Sequence, residues 1–469
     1  MNKTVVVVSL AGALALTALV LGLPAARPVP PVSHGASPVT PPAQVPGAGA
    51  LTMTARLSHP YVLPGTSELF ATVDISGAEV PGAERRPVNL ALVIDRSGSM
   101  RGYKLQQARQ AASHLVGLLG ERDRLAIVHY GSDVRSLESL PATPANRQRM
   151  LAFIERIEDE GGTNISAGLE EGRARVRASP CEGCVERIIL LSDGQPTEGL
   201  VGDVELKTLA RDIRAGGITV SAIGVGTDFN EDLMQGFAEL GAGAYGFLED
   251  ASQLGGIFQK DLRQAATSVA RDVALTFTLP PDTRLEEVLG YRSQQDGRRV
   301  TVHLPDFSAG QLERVVVRLS VMGAQEGTPV DVSEVSLAYF DLRAGETRGA
   351  QAALGARVTP RPEEVREHQD KDATVNATRA LSAKNLHLAA QALREGRKQE
   401  AMGYVTQNQQ LFQEAGELAS PAAVAADLAE QKEVLNDYQQ AEDSEAVGAA
   451  VKRSKSRSLK GFGRMSSTY

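Results

Sequence analysis

The 469-residue chain contains no tryptophan, and only 4% of its residues are aromatic. Its cores must therefore be built from Ala, Val, Leu and Ile, which an ordinary hydrophobic share of 42% can supply. Two cysteines are too few for a disulfide framework. They stand together as Cys181-Glu182-Gly183-Cys184, with no second CxxC and no His cluster nearby to complete a zinc site. In an exported chain the expectation is a small loop disulfide. A formal net charge of -8 lacks the basic excess that phosphate binding needs, which argues against nucleic acid as the main partner. Long apolar runs are also missing, with one exception at the N-terminus.

In that exception Lys3 precedes an uncharged apolar run over residues 4–23, followed by Pro24-Ala25-Ala26-Arg27. A charged start followed by an apolar stretch is the pattern of an export signal. The run is also long enough to span a bilayer. Residues 1–26 are therefore read as a signal peptide cut after Ala26, with a retained membrane anchor as the alternative. Either way the bulk of the chain is expected in the periplasm, on the cell surface or secreted.

Composition then divides the chain, whose length suggests about three domains. Residues 27–50 are rich in Pro, Ala, Gly and Ser and read as a flexible linker. Residues 51–86 hold two strand-like runs, 53–62 and 68–75, separated by Pro64-Gly65. From 87 to 265 strands and helices alternate. Strand-like runs at 89–94, 125–130, 188–191, 219–225 and 244–248 are separated by helical patterns at 104–119, 147–157, 165–177, 204–215 and 231–240, and a helix over 252–265 closes the unit. This order predicts an α/β fold, a doubly wound, mostly parallel sheet whose ligands bind beyond the carboxyl ends of its strands. Residues 270–360 return to β patterning and, with 51–86, would complete a flanking antiparallel β-sandwich. A helical C-terminal region follows over 361–440, either a hairpin of the tetratricopeptide type or a plain helical appendage. Residues 441–469 carry Lys452, Arg453, Lys455, Arg457, Lys460 and Arg464 with no acid after Glu445, and read as a disordered basic tail.

The chemistry concentrates at three predicted strand ends. The octapeptide VIDRSGSM places Asp95, Ser97 and Ser99 on alternate residues where the first strand stops. Gly161-Gly162-Thr163-Asn164 is a glycine-rich turn into a helix, and Leu191-Ser192-Asp193-Gly194 puts a carboxylate at the tip of another strand. Capping of the next helix by Asp95 and Ser99 would account for one loop. It would not account for matching oxygen groups at three. Oxygen donors without Cys or His select Mg²⁺, Ca²⁺ or Mn²⁺ over zinc or copper.

The order DxSxS, GGTN, SDG over residues 87–262 resembles the von Willebrand factor type A (VWA) domain, in the form seen in bacterial secreted proteins and inter-alpha-trypsin inhibitor heavy chains. The resemblance implies a metal-ion-dependent adhesion site (MIDAS). Asp95 and Asp193 would offer carboxylates to Mg²⁺ (or Ca²⁺ or Mn²⁺), and Ser97, Ser99 and Thr163 hydroxyls, some through water. A protein ligand's Asp or Glu carboxylate would complete the coordination. The implied function is divalent-cation-dependent adhesion or protein binding by an exported, non-enzymatic protein. One alternative is an accessory subunit of a larger envelope or AAA+-linked complex. A metal-dependent hydrolase is another, but it needs a base beside the metal. His129 reads as a core or edge residue of a strand, and His114 falls within a helix. Asp133, Glu198 and Asp228 are loop acids near the same edge, either tuning the site or simply solvated. Nothing in the sequence sets an oligomeric state.

Overall fold

The structure is a computed structural model that describes residues 43–45, 49–79, 86–226, 229–248 and 254–463. The expected signal or anchor at 1–26 lies outside the described residues, as does most of the linker. Among the described residues no helix is long and apolar enough to cross a membrane.

At the centre is a six-stranded sheet in the order Ala242–Leu248, Thr219–Val225, Val185–Ser192, Val88–Asp95, Arg124–Tyr130, Val134–Pro141. All neighbours are parallel except the last pair. The Val88–Asp95 strand is buried at every residue, as expected of a strand covered on both faces. Its side chains alternate between two cores. Leu90, Leu92 and Ile94 share one with helices α1 (Tyr103–Leu118), α2 (Pro144–Glu155) and, further along the chain, α6 (Leu254–Ala266). Ala91 and Val93 share the other with α3 (Ile165–Ala178), α4 (Asp203–Ala215) and α5 (Glu231–Leu240). The antiparallel edge strand Val134–Pro141 has no counterpart in the sequence reading. It is half-exposed and polar at most positions, so it lacks the apolar run that marks the buried strands.

The β segments on either side of this unit share sheets. Gly65–Gly77 pairs with Leu312–Gly323 along its whole length, Ser76 opposite Leu312 and Gly65 opposite Gly323. The five-stranded sheet runs Ala43–Val45, Leu51–Leu57, Gly65–Gly77, Leu312–Gly323, Thr283–Leu289, so three residues of the expected linker, 43–45, are a strand paired with 53–55. A seven-stranded sheet holds Ser293–Asp296, Arg299–Leu304, Ser268–Thr278, Pro329–Asp341, Glu346–Val358 and Tyr61–Val62 in that order, with Phe307–Ser308 beside Ser268–Thr278. One hydrophobic core joins the two sheets as a sandwich. The sequence suggests one run over 53–62; the chain instead breaks after Leu57, and Tyr61–Val62 crosses to the other sheet. Glu346–Val358 is built largely from Ala and Gly, residues with weak strand propensity, and pairing with Pro329–Asp341 makes it a strand. The chain enters and leaves the α/β unit side by side, Arg86 N donating to Ala266 O at 3.1 Å. Arg214 at the end of α4 grips Asp306 of the sandwich with two hydrogen bonds, 2.6 and 2.8 Å.

The C-terminal region is a short helix α7 (Pro362–Glu367) followed by α8 (Lys371–Arg394), α9 (Lys398–Leu418), α10 (Pro421–Gln440) and α11 (Ser444–Gly461). The expectation of a disordered tail from 441 is overturned by α11, which Asp443 caps by accepting from Ala446 N at 2.7 Å. The bases that suggested disorder are matched by acids far away in sequence. Lys455 pairs with Glu231 and, at 3.3 Å, with Asp232, both at the start of α5. Arg457 reaches Glu433 at 3.0 Å, and Arg453 reaches Asp437 at 3.2 Å. Lys452 lies over the Phe229 ring, 3.8 Å from its centre. Arg464 lies outside the described residues.

Two outcomes follow. Lys455→Met would leave the buried Glu231 carboxylate paired with Arg394, 3.0 Å away. Equilibrium unfolding in urea should show a loss of about 1.5–3 kcal/mol, because the buried charge loses one of its two charge-assisted partners. The second concerns His129, on the Arg124–Tyr130 strand. Its pKa is lowered to about 4, by burial first and then by the charges of Arg96 and Arg135, against the opposing pull of Asp133. The folded state therefore favours the neutral ring, and its contribution is fully present above pH ~6.5, the unfolded value. That contribution is lost as the pH falls from ~6.5 towards ~4. His129→Leu should flatten the fall in urea-unfolding stability across this window by up to about 1.4 kcal/mol per pH unit.

Candidate metal centre

The central strand ends at Asp95, and its carboxylate is fixed from the turn that follows and from both neighbouring strands. Oδ1 accepts from the backbone N of Ser97 at 2.9 Å. Oδ2 accepts from the Ser192 hydroxyl at 2.6 Å, on the neighbouring strand, and from the Tyr130 hydroxyl at 3.3 Å, on the opposite neighbour. The turn after Asp95 brings Ser97 Oγ within 3.1 Å of Ser99 Oγ. Met100, buried within the same turn, anchors it to the core.

The second loop is tied to the first by its backbone. Gly98 N donates to Gly161 O at 3.1 Å, and Glu160 N to Arg96 O at 2.9 Å. Gly161 has φ +80°, and a Cβ there would stand 2.7 Å from Ser132 Oγ, so glycine is required for conformation and for space. Thr163 N donates to Thr197 Oγ1 at 2.8 Å, while Thr163 O accepts from the backbone of Thr197 and Glu198. Asn164 caps α3 by accepting from Ala167 N at 3.0 Å.

The third loop carries Asp193. Its backbone O accepts from Asn230 N at 3.1 Å, and Gly194 N donates to Ser192 Oγ at 2.8 Å. Asp193 Oδ2 lies 3.4 Å from Lys104 Nζ, while Oδ1 is buried with no hydrogen-bond partner among the described residues. Asp95, Ser97, Thr163 and Asp193 are each at most 3% exposed, and Ser99 is exposed.

The electrostatics follow from this burial. Desolvation raises the Asp95 pKa to about 6; hydrogen bonds from Ser192 and Ser97 oppose the shift, and the Asp193 charge adds to it. Two buried carboxylates with one ammonium beside them leave a cation deficit, and an orphaned carboxylate oxygen sharpens it. Neutral hydroxyls and carboxylates with no sulfur or nitrogen ligand suit a hard dication. Among the described residues no group of three or more His, Cys, Asp or Glu converges, so a dication here would rely on the hydroxyls. The donors present therefore fit Mg²⁺, Ca²⁺ or Mn²⁺.

The sequence reading omitted several residues that shape the site. Tyr130 and Ser192 orient Asp95. Gly168 on α3 makes room for the Tyr130 ring, since a Cβ there would meet it at 2.5 Å. Lys104, five residues beyond Ser99, had no motif to mark it. Arg96, unassigned within DxSxS, is buried and pairs with Asp133 and with Glu160, the latter at 3.1 Å. Of the suggested tuning acids, Asp133 serves this pair with Arg96, and Glu198 accepts from Ser132 Oγ at 2.7 Å. Asp228 lies outside the described residues. His129 is buried against Phe153, ring centres 5.3 Å apart, and His114 is exposed on α1. Cys181 and Cys184 form a disulfide in the loop before the Val185–Ser192 strand.

Known proteins resemble parts of this chain. Residues 89–260 match the family model of the von Willebrand factor type A domain. The chain is 30% identical over 227 residues to the uncharacterized protein YfbK of Escherichia coli K12, covering 48% of this chain and 39% of that one. It is 32% identical over 212 residues to inter-alpha-trypsin inhibitor heavy chain H4 of Sus scrofa, covering 43% of this chain and 22% of the relative. The chain thus spans well under half the length of both. A von Willebrand factor type A structure from Catenulispora acidiphila superposes with TM-score 0.64 at 15% identity, covering 88% of this chain and 98% of that one. The ArnB paralog VWA2 from Sulfolobus acidocaldarius gives 0.54 at 20% identity, covering 87% and 99%. These two likenesses extend the shared fold beyond the α/β unit into its β and helical frame. Residues 89–260 are thus a domain of the von Willebrand factor type A kind by the family model that they match.

Proposed function

We propose that this is an exported protein that binds a protein partner through a divalent cation held by Asp95, Ser97, Ser99, Thr163 and Asp193. The observation that carries the reading is the buried Asp95–Asp193 pair, with an orphaned Asp193 oxygen at the meeting point of three hydroxyl-bearing loops. Two formal charges and neutral hydroxyls would leave a bound dication electrophilic, and its chemistry here would be to take up an outside carboxylate. The three loops contain no His or Cys to serve as a base, so binding is favoured over hydrolysis. Export rests on Lys3 and the apolar run at 4–23. Adhesion in the periplasm or at the cell surface is the matching role.

Calorimetric titration with Mg²⁺ and Mn²⁺ tests the reading. Asp193→Asn and Asp95→Ala should each weaken binding at least about tenfold, the loss of about 1.4 kcal/mol or more of charge attraction. Lys104→Met should tighten it by roughly three- to tenfold, because the ammonium beside Asp193 competes with the cation. No saturable binding by the wild-type protein, or unchanged affinity in Asp193→Asn, sinks the proposal.

A further inference from the structure

Among the described residues, six large apolar side chains are exposed, and four of them stand on segments that leave the candidate metal loops: Tyr103, Leu200, Val201 and Val204. Tyr103 opens α1 and precedes Lys104, which reaches Asp193. Leu200 and Val201 follow the segment whose Thr197 and Glu198 amides donate to Thr163 O. Leu200 N itself donates at 3.1 Å to Ser166 Oγ, in the first turn of the helix that Thr163 precedes. Val204 lies in the first turn of α4 and is 74% exposed. All four thus belong to the carboxyl edge of the sheet, from two sides of the metal loops.

These side chains do not hang from loose chain. Gly199, with φ +69°, lies so close to Asn164 and Ser166 that a Cβ would clash with both, and the Leu200 amide is bonded on the same side. The loop therefore holds its apolar groups outward by construction. Scattered exposed apolar residues need no explanation, but clustering beside a recess built for a cation marks an interaction surface. A free small carboxylate would fill the metal position and leave the rim in water. Glu198 and Glu205, on the same segment as Leu200, Val201 and Val204, disfavour an anionic lipid surface or a second acid on the partner.

We infer that this edge docks a protein segment whose metal-directed Asp or Glu is flanked by bulky aliphatic residues and by no second acid. The inference rests on the metal reading, and it adds the class of sequence recognised. The carboxylate would complete the metal's coordination while the flanking side chains cover Tyr103 on one side and Leu200, Val201 and Val204 on the other.

The test uses the full chain in saturating Mg²⁺ and three acetylated, amidated pentapeptides, Gly-Leu-Asp-Leu-Gly, Gly-Ser-Asp-Ser-Gly and Gly-Glu-Asp-Glu-Gly, read by ligand-observed NMR titration. The Leu-flanked peptide should bind roughly tenfold tighter than the Ser-flanked one, the size expected from burying part of two aliphatic side chains, and the Glu-flanked peptide weakest. EDTA should abolish all binding. The Tyr103→Ser/Val204→Ser double variant changes two exposed positions. It should erase the preference for Leu while its Mg²⁺ affinity, measured by calorimetry, stays at the wild-type value. Mg²⁺ binding with equal affinity for the Leu- and Ser-flanked peptides, or with no peptide bound, overturns the inference and leaves the metal reading standing. Failure of Mg²⁺ binding itself overturns both.

Discussion

A buried carboxylate cannot be left alone, and the arrangement of this molecule's working edge follows from that constraint at Asp95. The residue ends a strand with no exposed position, so its charge sits where the sheet's two cores meet solvent. Two neighbouring strands and the following turn answer it, with hydroxyls from Ser192 and Tyr130 and a backbone N–H at Ser97. Each of those donors fixes a loop. The Ser97 amide shapes the turn that carries Ser99, Ser192 sets the position of Asp193, and Tyr130 requires a glycine at 168 on the helix that follows Thr163. Satisfying one carboxylate therefore brings together the oxygen groups that would hold a cation. Asp193 is left partly unsatisfied, and Lys104 is its nearby counter-charge.

The rest of the chain holds this edge in place. The α/β unit leaves and rejoins the sandwich at adjacent points, and the Arg214–Asp306 grip makes the junction rigid on one side. On another side α11 lies against the start of α5 and the loop before it, through Lys452 and Lys455. That loop also holds the metal edge, since Asn230 N donates to Asp193 O and Lys452 Nζ lies 3.5 Å from Gly226 O. The C-terminal helix and the third metal loop are therefore separated by one short, hydrogen-bonded segment.

The parallel strands were legible because they are buried on both faces and read as apolar runs bounded by turns. The three oxygen-bearing words were legible because each falls where such a run stops. What stayed hidden shares one physical cause: partners distant in sequence. The edge strand Val134–Pro141 and the Ala- and Gly-rich strand Glu346–Val358 become strands by pairing, since their own residues express little preference. The basic C-terminus looked self-repelling because Glu231, Asp232, Glu433 and Asp437 are not its sequence neighbours. Within the site, nothing local distinguishes Tyr130 from other strand aromatics or Lys104 from other bases on a helix.

The central claim is that Asp95, Ser97, Ser99, Thr163 and Asp193 surround a place for a dication. Soaking or co-crystallising the protein with Mn²⁺ and locating the metal by its anomalous scattering tests this directly. The account predicts a single strong peak among those side chains, with Lys104 Nζ withdrawn from Asp193. A map with no peak there, or with the ammonium still seated on Asp193 and manganese bound elsewhere, would contradict it.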